Sequence, residues 1–177
     1  MDKTPTIKIR QETERDHKAV ERLVEAAFRD EVYSSQNEHI LVEKLRRTSA
    51  FVPELSLVAV SGRKIVGHIL FTKVSIGYHT STLALAPLSV HPEFQNRGIG
   101  GKLIAEGHKI AKELGFDSVL VVGHEDYYKR FGYKQLSDFG IQVPFTVPVE
   151  YAMGYDLIPN VFFKISGIAT YPKEFFE

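Results

Sequence analysis

The sequence predicts a mixed α/β fold in a single domain covering residues 1–177, and three observations predict it. The length of 177 residues suits one domain, which at that size buries roughly 70% of its unfolded surface. Strand-length runs, alternating or wholly apolar, interleave with stretches whose apolar residues recur at helical spacing. A buried-type strand, a glycine-rich turn and the clearest helical stripe of the chain follow one another without a gap.

The elements follow in order. Ile7-Lys8-Ile9-Arg10 alternates and predicts a short first strand. Thr13-Glu14-Arg15-Asp16 predicts a helix start, with Val20, Leu23, Val24 and Phe28 on its apolar face. A second, short helix fits residues 38–46, with Ile40, Leu41 and Leu45 together. Residues 55–60 and 64–76 predict a hairpin around Ser61-Gly62. Gly67 inside the second strand implies a bulge or a close backbone approach. After the loop Gly77-Tyr78-His79, residues 82–90 form an apolar run suited to burial on both faces. Pro87 within it lacks an N–H and implies a local break in pairing.

Residues 98–114 predict the main helix, with Ile99, Leu103, Ile104, Ile110, Ala111 and Leu114 as its stripe and Gly115 as its stop. Residues 118–122 predict another buried strand, and 126–131 a turn or two of helix. Short strands near 141–143 and 151–157 complete the order β-α-α-β-β-β-α-β-α-β-β.

The composition is that of a globular chain, 44% hydrophobic and 25% charged, with 22 basic and 22 acidic residues. Zero net charge argues against general affinity for nucleic acid or an anionic membrane. The absence of cysteine excludes disulfides, thiolate nucleophiles and zinc–thiolate sites. Met1-Asp2-Lys3-Thr4-Pro5 lacks the apolar stretch of a signal peptide, and no apolar run approaches the ~18–20 residues of a membrane span. A cytoplasmic protein is the expectation.

The chemistry points to Gln95-Asn96-Arg97-Gly98-Ile99-Gly100-Gly101-Lys102. The first amides of a helix have no intrahelical acceptor, and the helix dipole adds partial positive charge, so a phosphate can sit there. Gly98, Gly100 and Gly101 let it approach the backbone, while Arg97 and Lys102 add charge. A P-loop would need Gly where Asn96 stands and Ser or Thr where Leu103 stands. A dinucleotide fingerprint starting at Gly98 would need a third Gly, again at Leu103. The pattern that fits is Gln/Arg-x-x-Gly-x-Gly/Ala, matched by Gln95-Asn96-Arg97-Gly98-Ile99-Gly100.

That segment resembles the pyrophosphate loop of the GNAT (GCN5-related) acetyltransferases, with Leu88-Ser89-Val90-His91-Pro92 before it and a helix after it. Tyr127-Tyr128-Lys129-Arg130-Phe131-Gly132-Tyr133 is similar to the family's Tyr-x-x-x-Gly-Phe signature, with Tyr133 where Phe is usual. Glu54-Leu55-Ser56-Leu57-Val58-Ala59, Val66-Gly67-His68-Ile69, Leu85-Ala86-Pro87-Leu88 and residues 167–175 resemble the YhbS-like branch, so the likeness covers nearly the whole chain. Many members carry an Asn seven residues before the Tyr. Here that region is shortened to Gly123-His124-Glu125-Asp126, and the contacts of that Asn are not carried over.

The resemblance implies the GNAT acyl-CoA N-acyltransferase fold: a mixed, mostly antiparallel sheet with splayed central strands, flanked by helices. It implies acetyl-CoA as cosubstrate and an amine as acceptor. The pantetheine arm would lie along Leu88-Ser89-Val90, and an amide near Leu88 would polarise the acetyl carbonyl. Tyr128 aligns with the family's general acid; a tyrosine holds its proton at neutral pH and can give it to a departing thiolate. The bland alternative is a Tyr that anchors a short helix. Tyr127 reads as packing or a cofactor contact, and Lys129 and Arg130 either as partners of the nucleotide phosphates or, the stronger reading, as exposed helix charges. The general base stays open among Glu38, Glu43, Glu54, His68, a water chain and the amine's own equilibrium. His91 is assigned no chemistry. His17, His39, His79, His108 and His124 show no ligand spacing, so no metal is expected.

Without cysteine, direct attack by the amine in a ternary complex is the expected route. The competing class is a non-catalytic acyl-CoA-binding sensor. Dimers are common in families of this type, which leaves a homodimer open.

Overall fold

Alternating burial makes Ile7–Gln11 the first strand, β1. A capping box closes around Thr13, whose N–H donates to Asp16 Oδ2 at 2.8 Å, and this starts the turn leading into α1, His17–Phe28. Next come α2, Glu38–Leu45, then the long strands β2, Phe51–Ser61, β3, Lys64–Ile76, and β4, His79–Val90. They lead into α3, Ile99–Glu113, and β5, Ser118–Val122. The remainder is α4, Glu125–Lys129, with β6, Lys134–Gln135, β7, Ile141–Gln142, β8, Ala152–Asp156, and β9, Gly167–Thr170.

The structure, a computed structural model, describes residues 5–177. Met1–Thr4, read above for the lack of a leader, lie outside them. No helix among the described residues is long and apolar enough to cross a membrane. The described residues divide into two compact units, one of residues 5–70 and 87–107, the other of Phe71–Ala86 and His108–Glu177. β3, β4 and α3 run from one unit into the other.

In the first unit β1 pairs antiparallel with β2, from Ile7↔Ser61 to Gln11↔Leu57, and β3 is the next strand. His91 N–H donates to the Val66 carbonyl at 2.8 Å and ties the end of β4 to β3. α1 buries Val20 and Val24 against Val58, with Phe28, Val60 and Ile65 around them. Gly67 makes the predicted close approach. A Cβ there would lie 3.0 Å from both Ile99 Cγ2 and Leu103 Cδ1, so its absence lets α3 lie down on β3.

In the second unit β4 pairs parallel with β5, from Thr82↔Ser118 to Leu85↔Val121. β5 pairs antiparallel with β8, which also takes β6. β9 pairs antiparallel with the end of β3 and parallel with β7. The core here gathers Val74, Ile76, Ala84, Leu120, Leu136, Ile141, Phe162 and Tyr171. The sheet is mixed and mostly antiparallel, as expected.

Several details differ from the sequence reading, beyond the added strands β6 and β9 and the earlier start of β4 at His79. β2 begins at Phe51, four residues early, and accommodates an exposed Pro53. β4 stays extended through Pro87, and its ladder with β5 ends at Leu85↔Val121. The ladder with β5 therefore stops two residues short of the missing donor. Leu114, assigned to the buried stripe, is 45% exposed, because α3 ends one residue before it.

Candidate active site

The cofactor-binding candidates are consecutive and lie in the first unit. After β4 a short turn over Pro92–Phe94 delivers the chain to Gln95, whose side chain donates back to the Val90 carbonyl at 3.2 Å. Asn96 and Gly98 then both adopt left-handed backbone, at φ of 60° and 77°. Asn tolerates this conformation and Gly adopts it freely. The two turns reverse the chain into α3. The first intrahelical bond there runs from Lys102 N–H to the Gly98 carbonyl, at 3.1 Å. The amides of Ile99, Gly100 and Gly101 therefore precede the first helical donor and are free for an anion. Arg97 is exposed and lies over the Phe94 ring, 5.1 Å from its centroid, which holds a cation beside those amides. Lys102 is exposed one turn on. Upstream, Pro87 and Ser89 are buried while Leu88 and Val90 are half-buried on the alternate face of β4.

Tyr128 lies in the second unit, on α4. Its ring covers Gly123 so closely that an added Cβ would stand 2.4 Å from Tyr128 Cε2. The Tyr127 ring meets it edge-on, with centroids 5.0 Å apart at 84°. Tyr133 lies 5.5 Å away at 67°. Burial, helped by Tyr127, pushes the Tyr128 phenol well above the ordinary tyrosine range. It therefore carries its proton at neutral pH and can serve as a donor. Arg130 is stacked over Tyr127, 4.8 Å from the ring centroid.

The candidate bases part company. His68 has no exposed surface. Its Nε2 lies 3.2 Å from Ser56 Oγ, which donates to Glu12 Oε2 at 2.6 Å, and Glu12 pairs with Arg46. Burial pushes His68 down to about 4, against the pull of Glu12. Burial alone would raise the Glu12 carboxyl, but His68, Arg46 and Ser56 together hold it below its ordinary value. The imidazole lies inside an internal network with Ser56, Glu12 and Arg46, and its Nδ1 is buried with no hydrogen-bond partner among the described residues. Glu38 accepts from Ser34 Oγ at 2.5 Å. Glu43 pairs with Arg47 and lies 3.7 Å from Arg46. It also lines a cavity of about 530 Å³ between α1 and α2, together with His39 and Arg46. Glu54 is exposed on β2.

Sequence reasoning missed two things. One is the left-handed Asn96, for which an Asn two residues before a Gly was the available signal. The other is the pairing of His108 with Tyr133, residues 25 apart with no local pattern to join them. Among the described residues no group of three or more His, Asp or Glu is arranged to hold a metal.

A family model described as an acetyltransferase (GNAT) domain matches residues 53–135, a span that includes both the loop and Tyr128. A GNAT family acetyltransferase from Brucella melitensis, solved in complex with acetyl-CoA, is 33% identical with a TM-score of 0.80, over 96% of this chain and 98% of that one. The GNAT family N-acetyltransferase YhbS of Escherichia coli, solved with CoA, has a TM-score of 0.90 over 100% of this chain and 96% of its own. At 21% identity it speaks for the fold. The uncharacterized N-acetyltransferase YjhQ of Escherichia coli K12 is 41% identical over 115 residues, 63% of this chain and 64% of that relative, so the match spans less than two thirds of its length. On the fold, the loop and the Brucella likeness together, the chain belongs to the GNAT acetyltransferase family, enzymes whose cosubstrate is acetyl-CoA.

Proposed function

We propose that this chain, as one catalytic domain of residues 1–177, transfers the acetyl group of acetyl-CoA to a primary amine by direct attack in a ternary complex. The observation that carries the reading is the trio of unpaired amides at Ile99, Gly100 and Gly101, held behind two left-handed residues and flanked by Arg97 and Lys102. That arrangement suits a pyrophosphate. In this reading Gln95, Asn96 and Gly98 shape the loop, and Leu88, Ser89 and Val90 offer their backbone to the pantetheine arm. An amide near Leu88 polarises the thioester carbonyl.

The amine nitrogen attacks the carbonyl carbon, the carbon–sulfur bond breaks, and the thiolate takes the Tyr128 proton. The product nitrogen gives up its own proton to solvent, from which the phenol is restored. Burial keeps the Tyr128 phenol protonated at neutral pH, the state from which an acid must start, and the same burial makes it the weaker donor. The acceptor is a small amine or a protein amine, and the reaction belongs in the cytoplasm, where acetyl-CoA is at hand.

Two measurements test this. Calorimetry is expected to find acetyl-CoA and free CoA binding far more tightly than NAD or ATP; the reverse order would reject the loop assignment. A thiol-release screen with acetyl-CoA against amines, polyamines, amino acids and peptides is expected to find turnover. Binding without transfer to any of them would replace the enzyme by an acyl-CoA sensor.

A further inference from the structure

His108 and Tyr133 are absent from the chemistry above, yet they build one wall of the space that holds Tyr128. His108 projects from the second half of α3, and its Nε2 lies 2.7 Å from the Tyr133 hydroxyl. The imidazole is stacked on Tyr155 of β8, with ring centroids 4.3 Å apart at 24°. Phe71 lies 6.3 Å from it on β3. Tyr133 is 3% exposed and carries a phenol where the signature has phenylalanine. Buried without a partner, that hydroxyl would cost about 1–3 kcal/mol. His108 supplies the partner. Burial keeps both groups neutral: it lowers His108 to about 4 and raises Tyr133 well above the usual phenol range.

The consequence falls on Tyr128. Three surfaces confine its ring: the bare backbone of Gly123, the edge of Tyr127, and Tyr133. Gly123 and Tyr127 are fixed by sequence proximity, since one stands two residues before α4 and the other lies on it. Tyr133 follows the helix after a glycine at φ 91°. Its side chain is oriented by the hydrogen bond to His108.

We propose that His108 and Tyr133 are positioning residues for Tyr128, their mutual hydrogen bond fixing the Tyr133 ring and through it the direction of the Tyr128 hydroxyl. The proposal rests on Tyr128 being the acid. Proton transfer needs its donor in one alignment, and small displacements cost rate more than binding.

The test is a double-mutant cycle on thiol release from acetyl-CoA driven by hydroxylamine. This nucleophile is small enough for any acceptor cleft and is unprotonated at neutral pH, so the assay isolates leaving-group protonation. Tyr133→Phe and His108→Phe keep the rings and delete the bond. Each is expected to lower kcat by roughly 5- to 10-fold, with KM for acetyl-CoA within about twofold. His108→Gln places an amide where Nε2 stood and is expected to recover most of the rate. It also serves as a folded variant should His108→Phe lose its circular dichroism. In a Tyr128→Phe background all three substitutions are expected to have no further effect.

Undiminished losses in that background, or wild-type rates in Tyr133→Phe, would overturn the proposal and leave Tyr128 as the acid. A wild-type rate in Tyr128→Phe alone, or no acceleration by the wild-type protein, would remove the acid assignment and this inference with it. That failure is visible before either partner is changed.

Discussion

Between Val90 and Lys102 the groups offered to a ligand are main-chain amides, set by two left-handed residues and the first turn of α3. Around Tyr128 the reactive group is a side chain, and what sets it is a cage of ring edges and one hydrogen bond between side chains. The first arrangement needs only a short contiguous segment. The second collects residues from α3, α4, β8 and the turn between Gly123 and Glu125. A loop of the first kind is suited to hold a constant part of a ligand, such as a pyrophosphate. A cage of the second kind is suited to aim one proton.

Substitutions can break this contrast at either end. The largest effect is expected from Tyr128→Phe, which keeps the ring and removes the donor. Its kcat should fall by ~10²-fold or more while acetyl-CoA affinity hardly changes, as steady-state kinetics and calorimetry would show together. A kcat within about threefold of wild type would remove Tyr128 from the mechanism, since that is under 1 kcal/mol of barrier.

Next is Gly100→Glu, at a buried position in the first turn of α3. A carboxylate there would occupy the anion site, so acetyl-CoA should bind at least ~30-fold more weakly, about 2 kcal/mol. Unchanged affinity by calorimetry would locate the phosphates elsewhere.

Gly123→Ala touches the cage without touching the acid. Its methyl carbon would stand 2.4 Å from the Tyr128 ring, which must therefore shift. A loss of roughly 10-fold in kcat is expected with cofactor affinity retained, along with the 1–3 kcal/mol destabilisation typical of overpacking. Thermal melts would separate the two effects.

A separate effect, on stability rather than on rate or affinity, is one of pH. Burial lowers His108 and His68 from 6.5 in the unfolded chain to about 4. The unfolded state then binds more protons between those values. Stability is therefore full above about 6.5 and is lost as pH falls toward 4, with a slope of up to about 1.4 kcal/mol per pH unit for each histidine. Denaturant titrations across that window should show the slope reduced in His108→Phe and unchanged in Gly100→Glu.

Where a signal is local, the sequence carries it. β3 and β5 match the predicted 64–76 and 118–122 to the residue: turn residues on both sides bound β3, and β5 is an apolar run that follows the helix stop at Gly115. The loop was legible because every one of its residues is contiguous. β6 and β9 were not, since strands of two and four residues are set by the edges they join, on β8 and on β3 and β7. Strand β2 was read four residues short at its start, a stretch that holds the exposed Pro53. His68 was legible as a candidate base, but its enclosure beside Ser56 and Glu12 was not. Tyr128 was legible as a residue, but its cage was not, because His108, Tyr133 and Tyr155 are brought to it by the fold.

The left-handed turns at Asn96 and Gly98 also bear on how such a chain drifts under mutation. Main-chain amides survive every side-chain exchange except one to proline; otherwise they can only be obstructed, and few positions allow it. A phenol, by contrast, is lost in a single exchange at codon 128, and its aim in an exchange at 108, 123 or 133. Random substitution therefore erodes turnover well before it erodes cofactor recognition. Descendants that abandon acetyl transfer would pass through forms that still hold acetyl-CoA, the raw material from which a metabolite-responsive regulator can be selected.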